Sequence, residues 1–105
     1  MNTYKLSIIT PEGAVFDEPA ESLVVPGTEG SLGILSGHTP IASTLKEGIV
    51  EVRKAGRTRY FVIDKGILEM SPQNECTVLC NTAKETENLQ EAKRDLRKLM
   101  DNFLF

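Results

Sequence analysis

The chain has 105 residues, of which 40% are hydrophobic and 26% are charged, a balance that fits one small globular domain. Twelve basic and fifteen acidic residues give a net charge of -3, which disfavours nucleic acid as a partner because nucleic acid selects a basic face. No apolar run approaches the roughly 18 to 20 residues that span a bilayer, and the first residues lack a signal-peptide pattern, so we expect neither membrane insertion nor export.

Short alternating segments in the first 80 residues predict a mainly β fold. Apolar and polar residues alternate within these segments, and Gly, Pro, Asn or Asp marks nearly every break. Strands that recur every 8 to 12 residues or so are typical of a sandwich or a barrel. Residues 54–57 predict a hairpin loop, and Pro26-Gly27 predicts the end of a strand. The predicted strands are 4–10, 14–16, 20–25, 41–45, 49–53, 58–63, 67–70 and 76–80.

Both cysteines, Cys76 and Cys80, lie on the last of these strands. On a strand they would share a face but lie about 13 Å apart, because each residue advances the chain by about 3.3 Å. A disulfide needs Cα atoms within about 7 Å of each other. We therefore expect free thiols that behave as small, half-buried apolar residues. We expect no metal site, because a single histidine is available as a further ligand.

After residue 88 the apolar period changes and predicts an amphipathic helix. The spacing is 3-4-3-4, which places the apolar residues in one stripe. Asn88 is the expected N-cap, and Glu91 resembles its capping-box partner. We expect the stripe to pack on the sandwich, because an isolated helix this short is marginal; an exposed tip at 103–105 is the alternative. The stripe consists of Leu89, Ala92, Leu96, Leu99 and Phe103.

Residues 27–40, GTEGSLGILSGHTP, hold four of the eight glycines and the only histidine. The glycine spacing matches neither a P-loop nor a dinucleotide-binding fingerprint. His38 lies near several hydroxyls and Glu29, but nothing identifies a nucleophile or an orienting partner for catalysis. Two interpretations stay open from the residues alone. The stretch forms tight turns between strands, or it forms an irregular, ordered loop that presents apolar and backbone groups to a partner protein.

The same stretch resembles the signature of the epsilon subunit of the F-type proton-translocating ATP synthase, roughly Gly-x-Glu-Gly-x-Leu-Gly-Ile, two further residues, then Gly-His-x-Pro. The segments YKLSIITPEGAVF, KEGIVEV, DKGILEM and NECTVLCNTA resemble other parts of that family in the same order. The resemblance implies a ten-stranded β-sandwich over 1–84 and a helical part over 85–105, here one short helix instead of the usual two-helix hairpin.

For function, the resemblance implies a non-catalytic rotor subunit that needs no cofactor. Such a subunit connects the gamma subunit to the c-ring and helps couple proton flow to ATP synthesis, as a peripheral protein at the cytoplasmic face of a bacterial membrane. Two other classes remain as alternatives. One is a free-standing β-sandwich module that binds a peptide or small ligand, and the other is a hydrolase that uses His38.

Two surfaces carry over from the family. The c-ring-facing loop matches Glu29, Gly30 and Ser31. The gamma-facing side matches Thr10, His38, Ile41 and Ser43. Ser31 stands where many members have an acid, and Ser36 stands where proline is common. These two departures predict a less charged contact with the ring and a less rigid turn.

The helical tail departs further from the family. In many members a helix pair extends and blocks ATP hydrolysis, and some members bind ATP through Ile/Leu-Asp-x-x-Arg-Ala. The matching residues here are 89–94, in which Gln90 replaces the acid and Lys93 replaces the arginine and its fork of donors. We expect no ATP binding, weak or absent inhibition, and at most weak contact with the alpha/beta head.

Overall fold

Ten β-strands and one helix follow one another along the chain in a computed structural model that describes residues 2–102. The mainly β fold with a single C-terminal helix is therefore confirmed. The elements are β1 (Tyr4–Thr10), β2 (Gly13–Ala20), β3 (Ser22–Gly27), β4 (Gly30–Leu35), β5 (Ile41–Leu45), β6 (Gly48–Lys54), β7 (Arg57–Ile63), β8 (Gly66–Met70), β9 (Glu75–Cys80), β10 (Ala83–Thr86) and α1 (Leu89–Asn102).

The strands form two facing layers that join at β3 and β5. The first layer has the order β4-β3-β6-β7-β10, and the second has the order β5-β8-β9-β1-β2. The layers share one ladder contact, between Gly27 of β3 and Leu45 of β5. All neighbouring strands are antiparallel except β1 and β9, which run parallel. Each strand therefore turns one face toward the other layer and one face outward.

The core lies between the two layers and is supplied by alternate residues of each strand. In β6, for example, Val50 and Val52 are fully buried and their neighbours are not, as the sequence predicts. Phe16 and Phe61 meet edge to face across the layers, with ring centroids 5.9 Å apart. The largest fully buried side chains are Phe61, Leu6, Ile8, Leu23, Ile34, Ile63, Leu68, Met70, Val25, Val50, Val52 and Val78.

Several predicted strand limits are wrong. Residues 13–20 form one strand, where the sequence suggested a short strand at 14–16 and a new one from Ala20. Pro26-Gly27 does not end β3 early, because β3 continues to Gly27. β4 and β10 were not predicted from the residue pattern at all. β10 ends at Thr86, two residues beyond the expected sandwich segment 1–84, and that division into domains stays a prediction.

The predicted hairpin and the free cysteines agree with the structure. Ala55 and Gly56, with φ of 52° and 75°, form the two-residue turn between β6 and β7. Cys76 and Cys80 are free and buried on the same face of β9. Both lie deeper than the expected half-buried positions, because this face of β9 points into the core between the two layers.

Helix α1 packs on the outer face of the first layer, over β7 and β10, as the apolar stripe predicts. Asn88 caps it: the Asn88 side-chain oxygen accepts a hydrogen bond from the Glu91 N–H at 2.8 Å. Ala92 is fully buried, and it covers the part of the sheet where Val62 faces away from the core yet is only 6% exposed. The expected stripe position at Phe103, and the tip at 103–105, lie outside the described residues.

Candidate functional site

The glycine-rich stretch is mostly an antiparallel hairpin, so of the two interpretations left open, that of an irregular loop is wrong for residues 30–35. β4 pairs with β3 along its whole length, from Gly27↔Gly30 to Ser22↔Leu35. Ile34 is fully buried in the core, so it is not a residue presented to a partner. A side chain at Gly27 would lie 2.6 Å from the Gly30 carbonyl oxygen, which explains why this end of the hairpin holds glycine.

The tip of this hairpin carries the predicted c-ring-facing residues and is tied to β5. The Thr28 N–H donates to the Thr44 carbonyl at 3.1 Å, and the two threonine hydroxyls lie 2.8 Å apart. Glu29, Gly30 and Ser31 are all exposed at the tip. Because two hydrogen bonds fasten the tip to the second layer, the loop is held at a fixed place on the sandwich.

An open depression of about 600 Å³ lies between this tip and β5. It is bordered by the tip residues and by Ile41 and Ser43, two of the predicted gamma-facing residues. These two side chains share the inward face of β5 with buried Leu45, and Ile41 packs against the core. The outward side chains of β5 are the exposed Ala42 and Thr44. The structure therefore brings together the two predicted surfaces, but turns Ile41 and Ser43 partly inward.

Three exposed or half-exposed aliphatic side chains form a row on the outer face of the second layer. Ile67, Leu79 and Ile9 are cross-strand neighbours on β8, β9 and β1, and Thr44 continues the row on β5. Ile67 is 49% exposed and Leu79 is 44% exposed. We call Ile9, Ile67 and Leu79 the apolar row. A row of adjacent exposed aliphatic residues on a sheet is the kind of surface that a partner protein covers.

Thr10, another residue of the predicted gamma-facing side, lies at the end of β1 beside the apolar row. Thr10 and the row border a second depression of about 540 Å³. The Thr10 hydroxyl donates to the Gly13 carbonyl at 3.3 Å and accepts from the Glu12 N–H at 3.2 Å. These bonds stiffen the turn between β1 and β2. The predicted position of Thr10 at the edge of a docking surface is thus compatible with its place in the fold.

His38 lies in the connection between β4 and β5. The His38 N–H donates to the Leu35 carbonyl at 3.0 Å, which closes a β-turn around Ser36 and Gly37. Asn74, in the turn between β8 and β9, accepts a hydrogen bond from the Gly37 N–H at 2.8 Å. The four predicted gamma-facing residues thus lie on different elements: Ile41 and Ser43 border the depression beside the hairpin tip, Thr10 borders the second depression, and His38 lies between β4 and β5.

Among the described residues, no acid forms a hydrogen bond with the ring of His38. Its Nδ1 donates to the neighbouring Thr39 carbonyl at 2.6 Å, a contact within the loop itself. Burial raises the pKa of the Cys76 thiol to about 12, and burial together with the charge of Asp64 raises the pKa of Cys80 to about 11. Both thiols are therefore protonated near neutral pH and are poor nucleophiles. In residues 2–102, neither His38 nor a cysteine stands in the geometry of a catalytic triad.

The residues that match the family's ATP-binding segment lie on helix α1. Gln90 and Lys93 are both exposed, on the side of the helix that points away from the sandwich. Ala92, between them, is fully buried against the sheet. In the described residues the one helix, α1, is not long and apolar enough to cross a membrane.

Comparison with known proteins gives a consistent result. Residues 3–86 match the family model for the β-sandwich domain of the ATP synthase delta/epsilon chain. The ATP synthase epsilon chain of Pelotomaculum thermopropionicum is 39% identical over 93 residues, which cover 89% of this chain and 69% of that protein.

Solved structures show the same fold at lower identity. A chain of the Euglena gracilis mitochondrial ATP synthase, in a structure of its OSCP/F1/c-ring, has a TM-score of 0.77 at 22% identity. The match covers 87% of the present chain and 58% of the Euglena chain. A chain of the Tetrahymena thermophila mitochondrial ATP synthase, in a structure of its central stalk and c-ring, has a TM-score of 0.66 at 14% identity and covers 91% and 89%.

Proposed function

The chain belongs to the ATP synthase delta/epsilon chain family, and from that premise we propose that it is the central-stalk subunit that connects the gamma subunit to the c-ring. In this role it catalyses no reaction. It helps couple proton flow through the ring to ATP synthesis at sites on other chains. It lies at the cytoplasmic face of the membrane as a peripheral subunit, held there by its partners.

The apolar row is the observation that carries this proposal. Ile67 and Leu79 expose about half of their side-chain surface on a sheet whose opposite face is part of the core. A pre-ordered sheet loses little conformational entropy when a partner covers it, so its apolar area contributes efficiently to binding. We place the gamma subunit on this outer face, with Thr10 at one edge.

The c-ring contact is assigned to the hairpin tip. The hydrogen bonds between Thr28 of the tip and Thr44 of β5 hold the neighbouring Glu29 at a fixed position, exposed to solvent. Because Ser31 is neutral, the tip offers one carboxylate and several backbone groups, and the contact is predominantly one of hydrogen bonds. A fixed, polar tip suits a joint that must transmit torque without bending.

Helix α1 is assigned a docked, weakly inhibitory role. Its inner face packs on the sandwich, where Ala92 is fully buried and Leu99 is partly buried, and its N-cap is formed. The replacements Gln90 and Lys93 remove the acid and the guanidinium of the ATP-binding pattern. We expect that ATP at millimolar concentration leaves the melting temperature of the protein unchanged, and that the added protein inhibits ATP hydrolysis by the remaining complex only weakly.

Calorimetric titration with the cognate recombinant gamma subunit tests the main proposal. The wild-type protein should bind at one-to-one stoichiometry. Leu79→Lys should weaken binding by at least about tenfold, because it buries a charge in an apolar contact. Val24→Lys is the matched control: Val24 is also an exposed aliphatic residue of a central strand, but it faces outward from the first layer. No binding by the folded wild-type protein, or equal losses in both variants, would overturn the assignment.

A further inference from the structure

The turn that leads to His38 has a geometry that favours a proline which this chain does not have. Gly37 has a φ of 81°, and the turn is closed by the His38 N–H and the Leu35 carbonyl. This is the pattern of a type II turn, in which Gly37 occupies the third position and Ser36 the second. Proline is common at the second position because its ring already holds φ near the required value. Serine there leaves the turn freer in the absence of another restraint.

Asn74 supplies contacts that restrain this turn from across the sandwich. Its Oδ1 accepts from the Gly37 N–H at 2.8 Å, and its Nδ2 donates to the Ser36 hydroxyl at 3.1 Å. The Ser36 hydroxyl in turn donates to the Thr3 carbonyl at 3.2 Å. Three segments that are distant in sequence are thereby joined: the N-terminal residues, the turn before β5 and the turn between β8 and β9.

Asn74 is itself held in a conformation that suits this task. Its φ is 61°, a left-handed value that asparagine tolerates better than most residues. Its N–H donates to the Ser71 carbonyl at 3.2 Å, and the Ser71 N–H donates to the Glu75 carbonyl at 2.8 Å. The backbone that carries the Asn74 side chain is therefore fixed by the β8–β9 hairpin, and its amide group is a rigid support.

We propose that Asn74 is a positioning residue for the His38 segment, and that Asn74 and Ser36 provide by hydrogen bonds the restraint that a proline at position 36 would provide covalently. The consequence for docking rests on the proposed function and on the family-based expectation that His38 belongs to the gamma-facing side, beyond the apolar row. A segment that is already ordered in the free protein loses less entropy when it binds. Loss of the Asn74 side chain should therefore weaken binding although Asn74 itself does not touch the partner.

The test compares four proteins: wild type, Asn74→Gly, Ser36→Pro, and Asn74→Gly/Ser36→Pro. Glycine keeps the positive φ at position 74 and removes only the side chain. Two readouts are used: hydrogen exchange of the Gly37 amide in the free protein by NMR, and the Kd for recombinant gamma subunit by calorimetry. In Asn74→Gly, we expect Gly37 exchange to accelerate by about tenfold and binding to weaken by several-fold.

The double variant separates the restraint from the hydrogen bond. We expect it to regain a wild-type Kd, because proline again restricts the turn, while the Gly37 amide still exchanges faster than in the wild type. Asn74→Asp keeps the acceptor for Gly37 but loses the Nδ2 donor to Ser36, so Gly37 exchange should lie between those of the wild type and Asn74→Gly. If Asn74→Gly does not fold, Ser36→Ala replaces it: alanine removes the acceptor of the Asn74 Nδ2 hydrogen bond, and Gly37 exchange should again be faster than in the wild type.

Three outcomes would overturn the inference. Unchanged Gly37 exchange in Asn74→Gly would mean that the side chain does not restrain the turn. Faster exchange with an unchanged Kd would mean that the restraint does not serve docking, and a double variant that stays weak would mean that proline cannot replace it. A wild-type protein that does not bind gamma would refute the proposed function and, with it, the docking role, while the exchange experiment would still decide whether the restraint exists.

Discussion

The guanidinium group of Arg59 holds the carboxylate of Glu85 by two parallel hydrogen bonds, from Nε to Oε2 at 2.7 Å and from Nη2 to Oε1 at 2.8 Å. The same guanidinium lies 5.0 Å from the ring centroid of Phe16 and 5.7 Å from that of Phe61. Another of its nitrogens lies 3.3 Å from Glu18 on β2. Arg59 of the first layer thus reaches β2, the edge strand of the second layer.

Arg59→Lys should lower the free energy of unfolding by about 1 kcal/mol, because lysine keeps the charge but loses the fork that binds a carboxylate with two bonds. The side chains are roughly a third to two fifths exposed, so a larger effect is not expected. Urea unfolding measures the change. Arg57→Lys, an exposed arginine on the same strand, is the control and should stay within about 0.5 kcal/mol. Equal losses in both variants would contradict a special role for Arg59.

The same cluster predicts how stability depends on pH. The hydrogen bond from Lys54, and then the contacts with Arg59, hold the pKa of Glu18 below its usual value, while the hydrogen bonds from Arg59 do the same for the pKa of Glu85. In the unfolded chain these carboxyl groups titrate near pH 4.3. Above that pH both states are ionised and the stabilisation is complete. As pH falls below it, the unfolded state takes up protons first, so stability declines toward the folded-state pKa values.

Urea midpoints measured from about pH 6 down to about pH 3 test this prediction. The double variant Glu18→Gln/Glu85→Gln should start lower and lose less stability over the acid part of the range than the wild type. The pKa of Asp95 is also held low, by Lys84, but Asp95 is present in both proteins and its contribution cancels in the comparison. Parallel pH curves for the two proteins would show that the cluster does not control the acid range.

The sequence predicted strands well where side chains alternate and poorly where they do not. β6 and β7 were found because Val50 and Val52 alternate with polar residues and Gly56 permits the turn. β4 was missed because glycines dilute its apolar residues and glycine disfavours strands. β10 was missed because it is a short, polar edge strand, a composition that protects edges from pairing. The count of ten came from the family resemblance, not from the pattern.

The candidate site was harder to predict, because the register of strand pairing decides which side chains lie on the outer face of the sheet. Ile67 and Leu68 are adjacent and both apolar, so the sequence does not say which one faces out. The ladders with β5 and β9 decide it: Leu68 is buried and Ile67 is exposed. In the same way, the pairing of β5 with β8 turns Ile41 inward. Neither fact is available until both layers are assembled.

Glycine at position 66 is predicted to be necessary for the close pairing of β8 and β9. A Cβ at this position would lie 2.2 Å from the Leu79 carbonyl oxygen and 3.2 Å from the Cys80 Cβ. A backbone oxygen cannot move aside as a flexible side chain can, so Gly66→Ala should cost about 2 kcal/mol or more. Thermal or urea unfolding measures the loss.

Gly33→Ala is the matched control for this prediction. Gly33 is also a strand residue, its φ is not in the left-handed region, and no heavy atom lies within 4 Å of an added Cβ. The substitution should therefore change stability by no more than about 0.5 kcal/mol. If Gly33→Ala were as damaging as Gly66→Ala, steric contact with Leu79 would not be the cause.

The inward turn of Ile41 gives the last prediction, which concerns two neighbouring residues of β5. Ile41 packs against the core, whereas Ala42 is exposed on the same outer face as the apolar row. Ile41→Lys should lower the free energy of unfolding by about 2 kcal/mol, because it removes a packed aliphatic side chain and places a charge near the core.

Ala42→Lys should leave stability nearly unchanged and weaken binding to the gamma subunit instead, because a long charged side chain would project into the proposed interface. Urea unfolding and calorimetric titration of both variants separate the two effects. If the gamma subunit lies on the inward-facing side of β5, toward the depression next to Glu29, the pattern reverses: Ala42→Lys binds normally. Ile41→Lys would then bind weakly even at temperatures where it is fully folded. That reversal would move the docking surface from the outer face of the second layer to the hairpin side.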